Sequence, residues 1–131
     1  MAYVINIDGV ADLSEEIATV KFESKIPDSS NVRSSNHDTV LTINGRLQFD
    51  NDKVLMRDHG KAIAEWSLVK PDSPDTYKKI TVSFTHAGSA RKFEFPHAFL
   101  ISYTETFTDL DGTFVLVVKQ KSDRQDEVVI E

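Results

Sequence analysis

Metal and acid–base chemistry need side chains that converge, and the first candidates are four histidines, His37, His59, His86 and His97. A zinc site carried on one element sets two histidines two or four positions apart, so that both rings leave the same face. None of the four has a partner at either spacing, and without cysteine there is no thiolate to complete a ligand set. HExxH and GxSxG are both absent, which removes the two most legible hydrolase signals. Asp8-Gly9-Val10 lacks the hydroxyl residue that an aspartic protease places between acid and glycine. Asp109-Leu110-Asp111-Gly112 begins like a calcium loop, but Thr113, Phe114, Val115 and Leu116 follow in strand pattern and no glutamate stands at the twelfth place. The five glycines are scattered and make no phosphate cradle, and Arg91-Lys92 is a single basic spot. We therefore expect no catalytic residues, no cofactor and no metal. The histidines read as turn and surface positions: His86 at a hairpin, His97 behind Pro96, His37 in a polar loop. Only a site assembled from distant residues would escape a search by spacing.

Composition narrows the field further. A chain of 131 residues suits one domain, here 1–131, and buries roughly two-thirds of its unfolded surface. Forty per cent hydrophobic residues, including eight Phe, supply one core. With no cysteine, packing and strand pairing must stabilise it without disulfides. The net charge of −6 argues against specific nucleic-acid binding, which needs a basic surface, although an acidic wall would let a polyanion pass without sticking. The opening MAYVINIDGV has no basic segment ahead of a long apolar run, so it is not a standard signal peptide. No stretch approaches the ~20 apolar residues that would insert in a bilayer. The expected place of synthesis is the cytoplasm, with a virion or export without an N-terminal signal as further destinations.

The elements that must position these residues are mostly strands. Tyr3, Ile5 and Ile7 alternate with Val4, Asn6 and Asp8 up to Gly9, and Ala18, Val20 and Phe22 alternate with Thr19, Lys21 and Glu23. From Thr39 to Phe49, Leu41, Ile43, Leu47 and Phe49 make one long strand interrupted by a bulge at Asn44-Gly45. Tyr77 to Ile130 read as an antiparallel sheet: Ile80, Val82 and Phe84, a turn at Ala87-Gly88, then Phe93 and Phe95, then Phe99, Ile101 and Tyr103, and after Gly112 Phe114, Leu116 and Val118. One helix is expected from Asp58 to Leu68, capped by Asp58 and stopped before Pro71 and Pro74. Ala62, Ile63 and Trp66 share a side of it, and Trp66 is expected to anchor it to the sheet. The fold class is mainly β: an antiparallel β-barrel or sandwich with one flanking α-helix. Between the second and third strands runs a polar segment, Pro27, Asp28, Ser29, Ser30, Asn31, Val32, Arg33, Ser34 and Ser35 at its centre. A long irregular connection of this kind is either a docking loop or a plain mobile one.

The order of elements carries a resemblance. The helix ends in Glu65-Trp66-Ser67-Leu68, and a Pro-containing link leads to a strand from Tyr77. Phe95-Pro96-His97-Ala98-Phe99-Leu100-Ile101-Ser102-Tyr103 follows, then an acidic turn with Gly112 and a last hydrophobic strand ending at Lys119-Gln120-Lys121. This C-terminal half resembles the tail-tube superfamily, which includes the Hcp proteins of type VI secretion and the tube proteins of contractile phage tails. The opening lacks the usual Hcp N-terminal run. The resemblance implies a non-enzymatic subunit that forms homo-hexameric rings, stacks them through the loop at residues 27–35, meets sheath and baseplate proteins, and passes cargo. Two other readings compete with it: a small β-barrel module that binds a partner protein, and a hydrolase with a dispersed site.

Overall fold

The computed structural model of the chain describes residues 2–14, 17–25, 38–47, 54–70, 72–109, 112–121 and 127–131. In chain order the elements are β1 (Ala2–Ile7), β2 (Ala11–Leu13), β3 (Ile17–Lys25), β4 (Asp38–Leu47), α1 (Val54–Ser67), β5 (Lys78–His86), β6 (Ser89–Phe107), β7 (Gly112–Gln120) and β8 (Val129–Ile130). All eight strands join one antiparallel sheet in the order β2-β1-β5-β6-β7-β4-β3, with β8 paired to β6.

Local chemistry explains the tight turns. At the β1–β2 corner Gly9 takes φ +73°, a left-handed conformation that costs a residue without Cβ nothing. Val10 N–H closes that turn onto Ile7 O at 2.9 Å. Between β5 and β6 the two-residue loop has Ala87 at φ 51° and Gly88 at φ 83°, the signs of a type I′ turn.

Sheet closure does not occur: the sheet curls over itself but does not form a closed barrel. The curl brings Phe22 of β3 to lie stacked on Phe93 of β6, ring centres 4.7 Å apart, and edge-on to Phe95 at 6.2 Å. Such pairs contribute roughly 0.5–1.5 kcal/mol beyond the area they bury. Ile5, Ile7, Leu41, Ile43, Ile80, Val82, Leu116 and Val118 fill the space within the curl. Helix α1 packs against β6, β2 and β4. Its Ile63 and Trp66 are buried, and the Trp66 indole N–H donates to Thr76 O at 3.1 Å.

Several expectations shift. The helix backbone begins at Val54, so Asp58 lies inside it and does not cap it. Asn44-Gly45 does fall within one continuous strand, but the bulge sits opposite, in β3 between Ile17 and Thr19. Ala18 is therefore exposed, and Ile17 packs toward the core in its stead. Strand β6 carries two more extra residues, one between the pairs Ile80↔Phe95 and Lys78↔Ala98, the other between Leu100↔Val118 and Ser102↔Val117. Each extra residue reverses which side of the strand faces inward. The inward series is thus Phe93 and Phe95, then Ala98 and Leu100, then Tyr103, while Ile101 is 48% exposed.

Candidate assembly surfaces

The nineteen residues of β6 serve two sets of neighbours within the one sheet. Its first half, Ser89 to Ala98, pairs with β5, and its second half, Ala98 to Phe107, pairs with β7. Beyond Ala98, therefore, the side of β6 turned away from β7 has no strand on it among the described residues. The outer side of β3 is likewise unpaired there. These two edges bound one four-stranded run, β6-β7-β4-β3.

The face of this run turned away from the core is polar and largely uncharged near its middle. Thr19, Asn44, Val115 and Thr104 fall in one lateral row, and Lys21, Thr42, Val117 and Ser102 in the next. Asn44 Nδ2 donates to Thr19 Oγ1 at 2.9 Å. Charges on this face pair off: Lys21 with Glu23 at 3.5 Å, and Lys119 with Asp38 at 3.2 Å.

The first β6 bulge is supported from within. Gln120 is 1% exposed, and its Oε1 accepts the His97 N–H at 3.0 Å, while Lys121 N–H donates to His97 O at 2.8 Å. A bulge leaves backbone groups without ladder partners, and a buried amide supplies them at less cost than an unmet donor. The His97 imidazole lies 3.2 Å from the Glu127 carboxylate. Farther along β6, Tyr103 O–H donates to Glu105 Oε1 at 2.7 Å. Burial pushes the Tyr103 phenol far above its usual range, and the hydrogen bond and negative charge of Glu105 push the same way.

Residues 27–35, the ring-contact loop expected from the sequence, lie outside the described residues, as does His37. His86 is exposed at the β5–β6 turn, and the side chains of His86 and His97 join no group of three or more metal-ligating residues among those described. Sequence reading missed the surface apolar residues. Leu68 at the end of α1 is 83% exposed and Val4 in β1 55%. Their only signal was an apolar residue just past a helix end, and one on the polar phase of a strand.

No family model matches the chain, and no curated protein matches it. Among solved structures, Hcp1 from Flavobacterium johnsoniae is similar at a TM-score of 0.57 and 14% identity, over 92% of this chain and 90% of that one. A type six secretion system protein is similar at a TM-score of 0.59 and 12% identity, over 92% of this chain and 79% of that one. The likeness is one of fold.

Proposed function

We propose, from an Hcp-like, tail-tube-like fold with two long open sheet edges, that the chain is a non-enzymatic structural subunit. Copies join laterally into a closed ring, hexameric by resemblance to the tail-tube superfamily. Rings stack into the tube of a phage tail or of a contractile injection or secretion system.

The pair of edges carries the reading. In the run β6-β7-β4-β3 every neighbour is antiparallel, so the two outermost strands point in opposite directions. Setting β3 of one copy against the second half of β6 in the next therefore continues the same antiparallel pattern. A cyclic ring built this way leaves no edge exposed, which removes the aggregation hazard that each edge presents alone. Residues 27–35 serve as the ring-to-ring contact, since a polar segment that cannot bury itself can order against a neighbour. Sheath and baseplate proteins, and the cargo in the lumen, are the further partners.

The test is the particle mass in solution by light scattering across concentration. Closed particles of about six subunits support the ring. A strict monomer at high concentration favours the protein-binding module instead. Deleting residues 29–35 should leave the fold and the ring but abolish long tubes in negative-stain images; tubes that persist would remove the stacking role.

A further inference from the structure

Beyond β7 the described chain resumes at Glu127 and runs beside β6 to Glu131. Strand β8 pairs there through Phe93↔Ile130 and Glu94↔Val129, and Lys92 and Glu131 exchange backbone hydrogen bonds at 2.9 and 2.8 Å. The segment extends two lateral rows of the sheet: Val4, Ser83, Lys92 and Glu131, then Asn6, Thr81, Glu94 and Val129. With it in place the first half of β6 has a strand on both sides, β5 on one and β8 on the other.

The segment is held lightly. At its start the Glu127 carboxylate lies 3.2 Å from His97 Nε2, and both side chains are partly exposed. Val128 is partly buried and packs on the core, whereas Val129 and Ile130 are 38% and 51% exposed. An exposed polar pair adds little stability, and so short a strand is marginal by itself. Strand β7 lies along the same side of β6 but pairs with it over nine residues, with Leu116 and Val118 fully buried. Local opening follows sparse apolar burial and exposed backbone bonds, so a step in stability falls between β7 and the segment.

We propose that residues 127–131 are a strap that opens and recloses as one unit while the rest of the fold stays intact. The bulge at His97 is its boundary. Gln120 Oε1 accepts the His97 N–H and Lys121 N–H donates to His97 O, so β7 stays paired when the strap leaves. Opening bares β6 at Lys92 and Glu94 on the side away from β5, where no other strand lies among the described residues. Closed, the strap guards that edge against pairing with another chain. This edge is separate from the two assigned to the ring, so the strap stands or falls independently of assembly through them.

Residue-resolved hydrogen exchange on the full chain tests the strap through the Lys92 and Glu131 amides, whose bonds to each other's carbonyls exist only while it is closed. They should exchange at least about tenfold slower than in an unstructured chain, yet at least about a hundredfold faster than amides of the β4–β7 ladder. Val128→Ser and Glu127→Gln should each speed them by at least about threefold and leave the β4–β7 amides unchanged. Exchange at the unstructured rate would mean that the strap is never closed. Exchange at the ladder rate would mean that it opens only with the whole fold. Either result overturns the proposal, as do variants that speed both sets of amides alike. The guarding role has its own reading: a chain with both substitutions should grow in light scattering beyond the parent's particle mass at equal concentration. An unchanged mass overturns the guard and leaves the opening standing.

Discussion

At one end of the sheet β2 is a three-residue strand with α1 packed against it, whereas at the other β3 runs nine residues with no strand beyond it among the described residues. The first arrangement is how a monomer protects an edge: keep it short and cover it. The second leaves its outer side without a strand partner among the described residues. The same contrast divides β6, whose first half is flanked by β5 and touched by β8, and whose second half is paired on one side only. One part of the molecule is finished by its own chain. The other has open edges on both sides among the described residues.

That contrast can be broken most severely on the finished side. Trp66→Ala should destabilise the fold by ~3–5 kcal/mol in urea titration, because the indole is 5% exposed and its removal leaves a cavity and an unmet Thr76 carbonyl. A loss below about 1 kcal/mol would mean that Trp66 does not hold the helix to the sheet. The second β6 bulge predicts a sharp difference between adjacent residues. Leu100→Ala should cost ~1–3 kcal/mol, since Leu100 packs on the core, and Ile101→Ala, at 48% exposure, no more than about 0.5 kcal/mol. Equal costs would mean that the bulge does not reverse the strand at Ile101.

Smaller effects sharpen the picture. Ala87 holds φ 51°, a left-handed conformation that a Cβ disfavours and Asn tolerates. Ala87→Asn should therefore raise stability by ~0.5–1 kcal/mol in the same titration; a loss would argue against the type I′ turn. Tyr103→Phe should cost stability near neutrality, where the hydrogen bond to Glu105 is made, and progressively less in alkali. The folded-state pKa of Tyr103 is raised, so its contribution is present below the unfolded phenol pKa of about 10 and is lost as pH rises beyond it. The parent should lose stability above about pH 10 more steeply than Tyr103→Phe, and parallel curves would remove the buried phenol from the account.

The strands that alternate cleanly were legible without coordinates. Ile5 and Ile7, Leu41 and Ile43, Ile80 and Val82, and Phe114, Leu116 and Val118 are all buried, because period two in sequence is period two in space wherever pairing is regular. Where pairing is irregular the reading slipped: Ala18 and Ile101 follow the pattern on paper, yet both are exposed beside bulges. A bulge depends on two strands far apart in sequence failing to match in length, and neither strand carries that mismatch alone. Of the surfaces, the exposed apolar positions Leu68 and Val4 were not legible from the sequence, and the polar segment at 27–35 lies outside the described residues. The exposure of Leu68 and Val4 follows only from what the fold leaves uncovered around them.

By itself, then, the sequence determined a cysteine-free, acidic, mainly antiparallel β chain with one helix and no motif for catalysis, since these follow from residue types and local periodicity. Tertiary structure alone decided that the sheet stays open, where β6 bends, and which two edges go unpaired among the described residues. Those are outcomes of long-range pairing, in which each strand's partner is chosen by the core it helps to bury.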